Sequence, residues 1–324
     1  MRARRLFTLA ALFVLGIGIL APSHSSGQRY PDHPIQFIIP NVAGSSMDNS
    51  ARALAEELEK TIGTKIVSIN KPGASTVLGT DTAVRAKKDG YTILYAGLSS
   101  LVIAPAISPE VVPYDAGKDL ESLGFHYYLP NTVNARSDSP WRTFLELIEY
   151  AKKEPGKIRV ATSGIGHPTH FILEMIQAMT GTQFVHVPFK GGAPVVTSVL
   201  GGHLEICIDA FANVKPHVDI GKLRVLLITN KMPAFPDIPT ITELGYAQNL
   251  PVGWMGVWAP AGIPEEARTV LVPAIEKAVK NSKPKIDQLW GLCEYKSPSE
   301  QARLREEQYK QICEVAGKIG LRKQ

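Results

Sequence analysis

Cysteine is scarce in this chain: three in 324 residues. That number excludes a disulfide-built scaffold, and none of the three has metal-site spacing. Cys207 sits in Ile206-Cys207-Ile208, which reads as a buried strand with an inert core thiol. Cys293 and Cys313 are the pair available for one bridge. Charge of one sign is also missing. Lys and Arg total 35 against 30 Asp and Glu, and the basic clusters (Arg85, Lys87, Lys88; Lys152, Lys153) are short and interrupted. Solvated helix faces account for them, and a nucleic-acid surface, which needs a basic stripe, is excluded. No repeat of fixed period occurs, and the 27 Gly and 24 Pro are scattered, which excludes collagenous or low-complexity segments. With 44% hydrophobic and 20% charged residues the composition is that of a globular protein long enough for two domains.

Long apolar runs are absent too, apart from one at the start. Arg2, Arg4 and Arg5 precede an apolar stretch from Leu6 to Leu20, followed by Pro22 and small residues. Fifteen residues are short for a membrane span of about 20. The pattern reads as a signal peptide over 1–27, with cleavage between Ser23 and Gly27. The alternative is an uncleaved anchor helix. No Cys lies nearby to carry a lipid. Three of the five formal positive charges belong to this segment, leaving +2 on the exported chain. The chain is expected to be exported and soluble.

Beyond residue 30 the sequence alternates β-branched runs with amphipathic helices. Strands are expected at Ile35–Ile39, Ile66–Ile69 and Thr92–Tyr95. Ala51, Leu54, Ala55, Leu58 and Ile62 recur at helical spacing up to Gly63, and a second helix covers Val77–Ala86. After Pro130 a second set follows, with strands around Val133, Ile158–Ala161, Phe184–Val187, Ile206–Ile208 and Leu223–Ile228. Helices lie between them at Phe144–Ala151, Thr169–Met179 and Pro194–Leu200. A Pro-rich stretch leads into a short helix, then a strand at Trp254–Trp258. Two helices close the chain: Glu265–Asn281, kinked at Pro273, and one opened by a Ser297/Glu300 capping box. The fold class is therefore α/β with two lobes, each a mainly parallel sheet flanked by helices, and a ligand cleft between them. Lobe 1 spans 30–129 plus 250–324, and lobe 2 spans 130–249.

In open α/β sheets, ligands bind beyond the carboxyl ends of strands. Four loops of small residues leave such ends: Pro40–Asp48, Ala96–Ser100, Thr162–His167 and Pro188–Ala193. At least three run into helices, whose N-termini favour anions. Two lobes presenting such loops to one cleft suit a small molecule with carboxylates at both ends. Enzyme motifs fail individually. Gly164-Ile165-Gly166 is followed by Thr169 where a dinucleotide loop needs glycine, and no P-loop, nucleophile elbow or H-E-x-x-H is present. His167 and His170 are three apart at a helix start, without further ligands at diagnostic spacing, so no metal and no cofactor are expected. Asp209 ends a strand and could be an acid, a ligand contact or a cap.

Seven motifs stand in order: Leu54-Ala55 after Asp48 and Arg52, Asn70–Ala74, Asp89–Thr92, Val187–Gly192, Leu200–Gly202, Gly221–Arg224 and Asp237–Thr240. Together they resemble the substrate-binding proteins of tripartite tricarboxylate transporters, the Bug family, from about Tyr30 to the C-terminus. The resemblance implies a two-lobed periplasmic protein that clamps an organic carboxylate and delivers it to integral-membrane transporter subunits, without catalysis. The alternatives are a ligand-sensing subunit for a membrane receptor, or a periplasmic hydrolase or isomerase using Asp209 and a nearby His. Against the family's usual first loop, Pro40, Gly44 and Asp48 match, while Asn41, Ser45, Ser46 and Met47 depart. In the second-lobe loop Ser163, Gly164 and Gly166 match, and His167 replaces a serine. With Ser99, Lys190, Gly191 and Asp209 these loops make up the expected ligand contacts. Ser45, Ser46, Ser163, Gly164, Gly166 and Gly191 would supply backbone or hydroxyl donors. If a bound carboxylate charges His167, affinity should be greater near pH 6 than near pH 8; if the ring only caps its helix, binding should ignore pH.

Overall fold

The computed structural model describes residues 30–189 and 192–322. The signal-peptide reading, Lys190 and Gly191 lie outside the described residues. The first half opens with β1 (Ile35–Ile39), α1 (Ser46–Ile62), β2 (Ile66–Asn70), α2 (Val77–Val84) and β3 (Thr92–Gly97). A π-type turn over Ser99–Ile103 runs into the short α3 (Ala104–Ile107), followed by β4 (Leu120–Leu129). The middle of the chain holds β5 (Asn131–Arg136), α4 (Phe144–Lys153), β6 (Arg159–Thr162), α5 (Pro168–Thr180) and β7 (Val185–Pro188). It continues through α6 (Gly192–Leu200), β8 (Ile206–Ala210), α7 (Phe211–Asp219) and β9 (Leu223–Ile228). Then come β10 (Gly253–Pro260), α8 (Glu265–Gln288), β11 (Leu292–Cys293) and α9 (Pro298–Lys318).

Among the described residues the strands form two sheets, ordered β11-β4-β10-β3-β1-β2 and β7-β6-β8-β5-β9. Neither is as parallel as the alternation of elements suggests. β1 pairs in parallel with β2 and β3, but β10 lies antiparallel between β3 and β4, and β11 antiparallel beside β4. In the second sheet β6 pairs in parallel with β7 and β8, while β5 is antiparallel to both β8 and β9. The cause is the route of the chain. β4 ends in the gap between the sheets and Pro130 alone separates it from β5, so β5 must start at the gap and run away from it. β10 re-enters the first sheet the same way. The strands that run toward the gap therefore present their carboxyl ends to it, as the ligand rule for α/β sheets requires.

Each sheet is buried on both faces. On the first, Ile35, Phe37 and Ile39 point to one side with α1 and α8, and Ile38, Leu94 and Ala96 to the other. Helix α8 extends seven residues beyond its expected end and passes through Pro273 and Pro284. Eight of its side chains, among them Leu271, Ile275 and Val279, are buried. That burial outweighs the roughly 3 kcal/mol each interior proline costs. The short helix expected after Pro239 is a set of turns, stopped at Gly245 with φ of 89°. The Ser297/Glu300 capping box is present. All three cysteines are free. Cys293 packs on one face of the first sheet and Cys313 on the other, so the sheet itself separates them. Among the described residues no helix is long and apolar enough to cross a membrane.

Candidate functional site

A cavity of about 540 Å³ lies in the gap between the sheets, within the usual range for small-molecule sites. The loop after β1 contributes Asn41, Ser45, Ser46 and Met47, and the turn after β3 contributes Ser99. From the other side come Ser163 and His167 after β6, and Asp209 at the end of β8. Eight of the expected residues thus share one wall-to-wall space. Gly44, Gly164 and Gly166 stand behind it; Gly166 lines an adjoining cavity of about 430 Å³ that shares Ser99, Ser163, His167 and Pro168 with the first.

Each loop is shaped by its own hydrogen bonds. Ser45 caps α1, its hydroxyl accepting from Asp48 N–H at 3.2 Å. Asp48 is itself buried and accepts from Gly44 N–H, Arg52 Nε and Asn70 Nδ2. Burial pushes its carboxyl up, but those donors, Arg52 foremost, hold it below the ordinary range. Asp48 organises the loop and stays out of the cavity. The N–H groups of Ser46 and Met47 have no hydrogen-bond partner among the described residues and stand at the positive end of a 17-residue helix.

The second-lobe loop differs from expectation. Ser163 N–H donates to Thr169 Oγ1 at 3.1 Å and Gly166 N–H to His170 Nδ1 at 3.2 Å, so these two backbone donors serve the loop. Pro168 has no N–H to offer, and Thr169 N–H turns to His167 Nδ1 at 3.4 Å. Gly164, with φ of 130°, meets a backbone need. What remains to face the cavity are side chains, the Ser163 hydroxyl and the outer edge of His167. The imidazole is the helix cap. Desolvation between the two lobes pushes its pKa down to about 4, although the ring is open to the cavity, which offsets part of that penalty. The direction favours a neutral ring with Nδ1 as acceptor, which is the capping alternative of the two readings.

Sequence reasoning missed the apolar floor. Tyr127, Leu129, Trp254 and Met255 line the cavity from β4 and β10, with Leu289 after α8. Asn131, Ala212, Asn213 and Gly192 also line it. The signal for β4 is weak, because Gly124 and a fully buried His126 interrupt its pattern. His126 is held neutral, its pKa pushed to about 3 by burial, between Tyr95 Oη at 2.7 Å and Ser282 Oγ at 2.9 Å. Asp209 is 3% exposed, and burial raises its pKa to about 6 against the donors Ala210 N–H and Asn213. No Lys or Arg occurs among the described lining residues. No group of three or more potential metal ligands occurs among the described residues.

Comparison with known proteins matches this geometry. The sequence profile of the tripartite tricarboxylate transporter family receptor covers residues 50–321. A UPF0065 protein of Bordetella bronchiseptica is 34% identical over 81% of this chain and 78% of its own length. A ligand-free TctC solute-binding protein from Polaromonas superposes with a TM-score of 0.80 at 27% identity, covering 89% of this chain and 99% of that one. The periplasmic binding protein BugD superposes with a TM-score of 0.73 at 31% identity, covering 91% and 100%. With its two sheets, its inter-sheet cavity and this sequence match, the chain belongs to the tripartite tricarboxylate transporter receptor family, the Bug-type solute-binding proteins.

Proposed function

We propose that this chain is exported, loses its signal peptide by cleavage between Ser23 and Gly27, and captures a small organic carboxylate for delivery to integral-membrane transporter subunits. The cavity carries the reading: a space of about 540 Å³ with an apolar floor, unpaired N–H groups at the start of α1, and no basic side chain among its described lining residues. An anion there is held by helix dipoles and neutral donors. Such a site releases its ligand without breaking a buried ion pair, which suits a carrier. Lobe 1 (30–129 plus 250–324) and lobe 2 (130–249) would close around the ligand.

Binding without chemistry is supported by the partners of His167. Its Nδ1 faces Thr169 (Oγ1 at 3.0 Å) and Asp209 pairs with Ala210 and Asn213, so His167 and Asp209 do not form an acid–imidazole relay. A thermal-shift screen of organic acids tests the proposal. A ligand at 100 times its dissociation constant stabilises the folded state by about 2.7 kcal/mol, and it should be recovered unchanged. Shifts with neutral sugars and none with any carboxylate would remove the substrate class.

A further inference from the structure

One wall of the cavity contains an acid whose second oxygen is without a donor. Asp209 Oδ1 accepts from Ala210 N–H at 2.7 Å and from Asn213 Nδ2 at 3.3 Å. Oδ2 is equally buried and has no hydrogen-bond partner among the described residues. The Ser163 hydroxyl is near enough to favour the ionised acid but does not close to a hydrogen bond. Oδ2 lies against the backbone of Gly192, where a Cβ would stand 2.6 Å from it. Asp209, Gly192, Asn213 and Ser163 all line the cavity. Buried acceptors are rarely left without a donor, and no basic side chain of the described lining supplies one.

We propose that Asp209 Oδ2 accepts a hydrogen bond from the ligand, so that the site selects carboxylates bearing a hydroxyl or amino group over their unsubstituted parents. The inference rests on the carboxylate reading above. An unsubstituted acid brings only C–H groups or a second anion to this oxygen, and the second anion is repelled. A hydroxyl or ammonium donates to it while the ligand's carboxylate stays at the opposite, helix-lined wall.

The test is titration calorimetry on the exported chain with three matched series. These are succinate, malate and aspartate; glutarate, 2-hydroxyglutarate and glutamate; and phenylacetate, mandelate and phenylglycine. In at least one series a substituted acid should bind tenfold or more tighter than its parent, the factor a charge-assisted hydrogen bond supplies. Preference for the hydroxy or the amino member identifies the donor. In Asp209→Asn the Ala210 N–H keeps the side-chain carbonyl oxygen in place, so the amide nitrogen takes the position of Oδ2. An acceptor becomes a donor, and the preference should vanish or reverse. Asp209→Ser, which withdraws the acceptor, should abolish it also if the Asn variant does not fold. Equal affinity for parent and substituted acids, or a preference that survives both substitutions, overturns the inference and leaves the carboxylate reading standing. If no acid in any series binds, the carboxylate reading falls and this inference with it.

Discussion

At the scale of single residues, two titrating groups face the same cavity with opposite consequences. Asp209 has its folded pKa raised to about 6 by burial, above the ordinary 3.8. Its contribution to stability is therefore present below pH 3.8 and lost as pH rises through 6, where the buried acid ionises. Asp209→Asn should raise the unfolding free energy at pH 8 by on the order of 1–3 kcal/mol and by little at about pH 3.5. Thermal melts at the two values check this, and an equal gain at both would contradict the burial of an ionised acid. His167 runs the other way. Its pKa is depressed to about 4, so the stability it contributes is present above about 6.5 and declines as pH falls toward 4. A ring already neutral and committed to Thr169 has no reason to charge on binding at pH 6.5. Proton uptake, measured by calorimetry in two buffers of different ionisation enthalpy, should be the same in wild type and His167→Ser. It should change in Asp209→Asn. Gly192 adds a steric limit: any side chain there meets Asp209 Oδ2 and Asn213 Nδ2.

At the scale of elements, α7 ties the two sheets together at the cavity's edge. Lys215, 8% exposed, points its ammonium over Trp290 at 4.5 Å and Phe235 at 5.3 Å, and pairs with Asp219. Trp290 follows α8, from the side of the first sheet, and its ring also meets Phe211 at 5.9 Å. It holds φ of 55°, an uncommon conformation for a non-glycine residue. Trp290→Ala should lower stability by about 1–3 kcal/mol and enlarge the ligand-free protein in solution. Urea midpoint and small-angle scattering check it, and an unchanged scattering profile would deny the clasp any part in holding the sheets together. The same helix marks where sequence reading stops. Strands such as β1 and β9 and helices such as α4 carry uninterrupted apolar periods and were legible. α7 was not, because Pro216 and a buried Lys215 break its period and its neighbours come from distant sequence. β4 failed for the same reason: Gly124 and His126 are satisfied by tertiary partners that no local pattern announces. In the site, the loops were legible as small residues after strands. The floor was not, since Tyr127, Trp254 and Leu289 look like any core residue until the two sheets bring them together.

At the scale of the molecule, the chain crosses between sheets at Pro130 and again before Gly253, and a third connection opposes free opening. Phe171 of α5 is fully buried in the core on the α9 side of the first sheet. Val315 of α9 packs against cores of both sheets, and Gln311 Nε2 donates to Asn249 O at 3.0 Å. Opening around the two crossings must therefore slide α5 over α9, and a wide opening would expose an aromatic core residue. Apolar burial of that size is worth roughly 1.5–3 kcal/mol, enough to keep widely opened forms a minor population. The expected motion is consequently small. A compact chain of the exported length has a radius of gyration of about 19 Å, and ligand saturation should reduce the measured value by on the order of 1 Å or less. Phe171→Ala removes the restraint, so its ligand-free radius should exceed that of wild type while its saturated radius should not. Affinity should fall in the same variant, because closure then orders a broader ensemble. A radius that does not change on saturation in either protein would mean that the cavity is preformed and that α5 and α9 act as a fixed wall.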